Sequence, residues 1–223
     1  MPSISMPSKI AATKSYGATV HFSGLTSFER LAGYGNIFMS PYHHPDLLLG
    51  PGTPGAPSPR VASCYYDTVW RGGMLSGVAL SCVGTGITVF GSMPSFEGAN
   101  DCRHGLAAGK RVKTVKSRSI ADGPHTPVGE IPWTVISNPE YVNDVFAVTE
   151  DQISDALELV LQRMKLLIET SSAVPLAVAL YNEDFRRILV IDSGLEKAAF
   201  NLMLVISGGN FDVRRLPELL RQM

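Results

Sequence analysis

The sequence reads as an α/β protein, a mostly parallel sheet flanked by helices. Apolar runs of strand length alternate with longer stretches of helical period, one helix start carries a capping box, and the last strand-like run stops abruptly at four turn formers. Hydrophobic residues make up 45% of the chain and charged residues 17%, a balance that excludes disorder and suits a packed core. At 223 residues there is room for one large domain, or one domain and a piece of a second.

In chain order, Ser8 is placed to cap a helix over Lys9 to Tyr16, stopped by Gly17. Ala18 to Phe22 reads as a strand, Ile37 to Ser40 as a short apolar run, and Pro45 to Leu49 as a short helix. Four prolines between Gly50 and Pro59 exclude a helix or a central strand there. Met74 to Val83 has helical apolar content, Gly86 to Gly91 reads as a buried strand, Glu97 to Ala108 as a helix, and Val142 to Val148 as a strand. Thr149 and Gln152 form the capping box, opening a helix whose apolar stripe runs Ile153, Leu157, Val160, Met164, Leu167. A helix over Ala173 to Tyr181 and a strand over Leu202 to Ile206 follow, the latter closed by Ser207-Gly208-Gly209-Asn210.

Nineteen basic against twenty acidic residues leave a net charge of −1, without the basic excess of a nucleic-acid binder. No apolar run reaches the roughly 20 residues that span a bilayer. Met1 to Lys14 lacks the apolar core of a secretory signal. Cys64, Cys82 and Cys102 form no Cys-x-x-Cys pair and read as reduced thiols. The expectation is a cytoplasmic protein that binds neither nucleic acid nor membrane.

Two glycine turns are the first candidates for chemistry. Gly72 and Gly73 precede a helix, and Ser207 to Asn210 follow a strand. Glycine lets backbone N–H groups approach an anion, and a helix N-terminus adds partial positive charge, but ordinary turn chemistry is the more frequent reason for such a pattern. His43-His44, the Glu97/Asp101 pair, and the cluster Lys110, Arg111, Lys113, Lys116 and Arg118 are also compatible with solvated surface. No Ser/His/Asp nucleophile arrangement is evident.

Several segments, taken in order, resemble one family. They are MPSKIAATKSYGATV, SPYHHPDLLLGPGT, GGMLSGVAL, EGANDC, IADG, VTEDQI, QRMKLLIE and VISGGN, spread from Met6 to Asp212. Together they resemble the pyridoxal-phosphate-dependent serine/threonine dehydratases and serine racemases. That resemblance implies a tryptophan synthase β-like fold, here incomplete. Residues 1–36 would be the remnant of a small domain, and 37–223 a large cofactor-binding domain with an irregular stretch at 50–71. It also implies that Gly72 and Gly73 donate N–H groups to the cofactor phosphate, and that Ser207 hydrogen-bonds the pyridine nitrogen. Asp122, Gly123 and Glu169 would border the active site. Ala99, through its carbonyl, and Asp101 would match two ligands of a divalent cation, magnesium or calcium.

The sequence departs from the family pattern in five places. It contains no Ser-Phe-Lys-x-Arg-Gly segment, which carries the family's Schiff-base lysine, and no Ser-Ser-Gly-Asn-His-Gly loop. Trp70 and Arg71 stand where glycines are expected, Met93 replaces a metal-binding glutamate, and Thr170 replaces a proline. What the resemblance implies is an N-terminally truncated ammonia-lyase or racemase, impaired as it stands, with a small amino acid as substrate and a homo-oligomeric state. The alternative is a non-catalytic fragment or interaction protein that associates with a full-length homologue.

Overall fold

The computed structural model describes residues 1, 5, 7–22, 44–55, 64–69, 72–96, 98–115, 119–121, 127–192, 201–208 and 211–220. The apolar run at 37–40 and the expected domain boundary at 36/37 lie outside these residues.

Four strands form one sheet: β1 (Cys64–Thr68), β2 (Thr88–Pro94), β3 (Asp144–Val148) and β4 (Leu202–Leu204). Their order is β3-β2-β1-β4 and every pair is parallel, with Tyr65 in register with both Val89 and Met203. The helices among the described residues are α1 (Pro7–Ser15), α2 (Pro45–Leu49), α3 (Gly73–Ser81), α4 (Asp101–Ala108), α5 (Glu130–Ile136), α6 (Glu150–Leu159), α7 (Thr170–Tyr181), α8 (Glu183–Asp192) and α9 (Leu216–Leu219).

The expectation of a protein that is mostly parallel sheet is therefore corrected. The strands are three to seven residues long, whereas α7 alone has twelve and α6 and α8 have ten each, so the α/β chain is mostly helical. The physical reason is the crossover: each parallel pair needs a connection of a dozen or more residues, and here helices fill those connections.

The sheet separates two apolar layers. On one face Phe90, Phe146 and Phe185 pack edge to face or tilted at centroid distances of 5.5–5.9 Å, with Ile153, Leu157 and Val174 around them. On the other, Val89, Met93 and Val145 meet Leu75 and Val78 of α3 and Ile136 of α5. The period-2 alternation of β2, with Val89 and Phe90 on opposite faces, explains why a strand covered on both sides reads as a continuous apolar run.

Other boundaries move for identifiable reasons. The capping box is present, with Gln152 N–H donating to Thr149 Oγ1 and Thr149 N–H to Gln152 Oε1. The α-helix it opens ends at Leu159, passes through a π-helical turn over Val160–Met164 and stops at Lys165, whose φ of 59° is left-handed. The apolar stripe thus ends at buried Val160, and Met164 and Leu167 are exposed. Glu97 to Ala108 yields a helix only from Asp101, and Ala18 to Phe22 form no strand.

The proline-rich stretch is not free of helix: Gly50–Gly55 is a 3₁₀ helix. The fixed φ of proline suits that geometry, and proline at three-residue spacing costs short helices little. A close backbone approach holds it. A Cβ on Gly52 would meet the Gly77 carbonyl oxygen at 2.8 Å, and one on Gly77 would collide with the Leu48 carbonyl oxygen.

Candidate functional site

In this sheet β1 leads to β2, and β2 to β3, always toward one edge, while β4 joins the opposite side of β1. The strand order reverses between β1 and β4. In open α/β sheets that reversal opens a crevice outside the carboxyl ends of the two strands, because the following loops leave in opposite directions. The loop after β1 delivers Gly72 and Gly73, and the loop after β4 delivers Ser207 and Gly208. The two glycine turns, 135 positions apart in the sequence (207 less 72), thus follow the carboxyl ends of adjacent parallel strands.

Gly72 is the N-cap of α3, with φ 79° and no side-chain cap. A Cβ there would meet Ile136 Cδ1 and Pro132 Cβ at 2.7 Å, so only glycine turns the chain this tightly against α5. The first-turn N–H groups of α3 lack intrahelical acceptors by geometry and carry the positive end of the helix dipole.

After β4, Gly208 has φ 81° and its carbonyl accepts from Glu169 N–H at 3.0 Å. A Cβ on Gly208 would lie 2.8 Å from Glu169 Cδ and Oε2. Glu169 is only 4% exposed, and its Oε1 is 3.1 Å from Lys9 Nζ. The loop after β4, the start of α7 and the ammonium of α1 therefore converge on one buried carboxylate.

Asp122 and Gly123 lie outside the described residues, as do Trp70, Arg71, Glu97 and His43, but the residues just before Asp122 are firmly held. Glu150 accepts from Ser119 Oγ at 2.8 Å and from Ile120 N–H at 2.6 Å. Thr170 Oγ1 donates to the Ile120 carbonyl at 2.7 Å. Sequence reasoning missed Glu150 and Ser119 as positioning groups and noted Thr170 only as a departure. The two hydrogen bonds to Ile120 show what Thr170 and Glu150 do: they hold the backbone of Ile120 in place.

Ala99 is fully buried and Asp101 is buried at the start of α4, where its Oδ2 accepts from Val128 N–H at 3.4 Å. Burial pushes the Asp101 carboxyl up to about 6, against the pull of backbone hydrogen bonds and of His104. Met93 is buried in β2. Among the described residues no three His, Cys, Asp or Glu side chains gather to hold a metal. A separate cleft of about 300 Å³, lined by Cys82, Gly84, Thr88, Glu140 and Tyr141, opens at the amino ends of the strands, away from the glycine turns.

This architecture is that of a known class: the chain belongs to the family of pyridoxal-phosphate dependent enzymes, whose pattern matches residues 1–194. It is 27% identical over 233 residues to the L-threo-3-hydroxyaspartate ammonia-lyase of Saccharomyces cerevisiae, covering 99% of this chain and 67% of that enzyme. To human serine racemase it is 31% identical over 183 residues, 79% of this chain and 50% of the racemase. The solved structure of maize serine racemase superposes with a TM-score of 0.83 at 26% identity, covering 99% of this chain and 68% of that one. Among the described residues no helix is long and apolar enough to cross a membrane.

The residues present fit a cofactor bearing a phosphate. Gly72 caps the nine-residue α3 without a side-chain hydrogen bond, so the first-turn N–H groups have no side-chain partner at the cap, and Ser207 follows the adjacent strand β4.

Proposed function

We propose that this chain carries the cofactor cradle of an amino-acid ammonia-lyase or racemase of the serine/threonine class. As it stands, it would be impaired in turnover. The observation that supports the reading is that Gly72-Gly73 and Ser207-Gly208 follow the carboxyl ends of the adjacent strands β1 and β4, where the strand order reverses.

Each residue then has a physical task. The N–H groups of Gly73 and its neighbours would hold the phosphate, where the helix dipole favours negative charge. The Ser207 hydroxyl would hydrogen-bond the pyridine nitrogen without protonating it. Glu150 and Thr170 fix Ile120, and Asp122 and Gly123, by the resemblance, would border the site. When bound, pyridoxal phosphate supplies an electron sink for charge developing at the substrate α carbon.

Impairment follows from amine chemistry. Proton abstraction at the α carbon needs a positioned base, and no Ser-Phe-Lys-x-Arg-Gly segment occurs in these 223 residues. The reading is tested by titrating the purified chain with pyridoxal phosphate, followed by its fluorescence, then assaying keto acid formation from serine, threonine and 3-hydroxyaspartate. Saturable binding with turnover at the level of free cofactor is expected. No saturable binding, or enzyme-level turnover, would contradict the cradle or the impairment, respectively.

A further inference from the structure

The two edges of the sheet are finished differently. At β3, Asp144 puts a charge on the strand and its Oδ1 accepts the Val145 N–H at 2.7 Å, while the Ala147 carbonyl accepts from Asn182 Nδ2 at 3.0 Å. Charges and side-chain caps of this kind keep a further strand from adding. Among the described residues β4 has neither: it pairs only with β1, no charge or proline occurs from Asn201 to Gly208, and no side chain bonds its backbone.

The apolar layers also run past β4. Leu202 and Leu204 lean on the phenylalanine layer and Met203 and Val205 on the opposite one, yet all four stay half-buried, whereas β2 is buried from Val89 to Pro94. Ile206 just beyond the strand is exposed, as are Leu166 and Leu167, which precede the Glu169 N–H bond to Gly208. An apolar strand with open backbone groups and half-covered faces is a surface that one more strand completes.

We propose that two copies of this chain associate through β4, each β4 running antiparallel to that of its partner, with Met203 facing its own counterpart. Charge selects a second copy. The edge is uncharged and the chain's net charge is −1, so an identical strand meets no like charge, and a partner chosen by charge finds nothing to read. Closure selects the geometry. Because the β3 edge is capped, β4 of one copy cannot add to β3 of the next, and pairing stops at a twofold dimer instead of growing into a filament. The pairing does not depend on the cofactor cradle, although it places the second copy beside the loop that carries Ser207.

Sedimentation velocity of the full chain over about 1–100 μM tests it, a range suited to an interface of modest size. A monomer–dimer equilibrium is expected. Met203→Lys and Met203→Glu each set like charges against each other and should weaken the dimer at least about tenfold, while their equimolar mixture should restore it. Val83→Lys, at an exposed position just past the end of α3, should change nothing. Circular dichroism checks the fold of each variant. Ile206→Lys, at an exposed position beside the strand, should weaken the dimer too and carries the test if the Met203 variants do not fold. A monomer at every concentration, a dimer that the folded edge variants leave intact, or one weakened as much by V83K would overturn the assignment. Met203 variants that dissociate singly but fail to recover on mixing would refute the antiparallel pairing. A ladder of larger species would refute closure at two copies.

Discussion

The hydroxyl of Thr170 donates to the carbonyl of Ile120 across 2.7 Å, joining the first residue of α7 to the segment that leads into Asp122. Glu150, the first residue of α6, takes the Ile120 N–H from the other side. Both polar groups of one peptide-linked residue are thus satisfied by side chains from two different helices.

Thr170 is fully buried, so Thr170→Val removes a donor and strands an acceptor. A loss of about 1–3 kcal/mol is expected in urea unfolding, with most of it restored by Thr170→Ser. A merely structural role would leave pyridoxal phosphate affinity unchanged once the variant is folded; a weakening of about tenfold is expected instead.

The Asp101 carboxyl has a folded value of about 6 against an ordinary 3.8. Between those values the folded state holds its proton while the unfolded state has released it. This group's contribution to stability therefore falls as pH rises from about 4 to about 6 and stays at its lower level above that. The total is at most about 3 kcal/mol. Asp101→Asn, which keeps an acceptor for Val128 N–H, should flatten this part of the pH profile and raise stability at pH 8 relative to wild type. A parallel profile for the variant would contradict the burial argument.

Thr149→Ala removes the acceptor for Gln152 N–H and should cost about 1 kcal/mol. Thermal unfolding at neutral pH checks it, and Thr149→Ser should recover most of the loss.

Phe185 is fully buried and completes the ring cluster with Phe90 and Phe146. Truncation to Ala leaves a cavity between α8 and the sheet, with an expected loss of about 3–5 kcal/mol. A smaller cost would show that α8 closes the gap by moving inward.

Legibility in the sequence follows the range of the interaction. The Thr149/Gln152 box spans three residues, and both of its bonds could be read from residue types alone. The helical stripe was legible up to Val160, where the α-helix gives way to a π-helical turn. The strand expected at Ala18 to Phe22 is not formed: these residues join no sheet among the described residues. β2 read correctly in type but ran on to Pro94, because its register with β3 continues to Val148.

The candidate site was legible as separate glycine turns. Their placement at adjacent strand ends depends on β4 crossing to the far side of β1, which no local pattern encodes. Glu150 stood in plain view within VTEDQI as a first-turn acid, yet its partners are about 30 residues upstream. Lys9 and Glu169 are 160 positions apart (169 less 9), and only the fold puts one against the other.

The most direct measurement is a crystal structure of the chain grown with pyridoxal phosphate. The account predicts phosphate density on the first-turn N–H groups of α3, beside Gly73, with the ring reaching toward Ser207. Phosphate bound in the cleft at the amino ends of the strands, or only to exposed lysines, would contradict it.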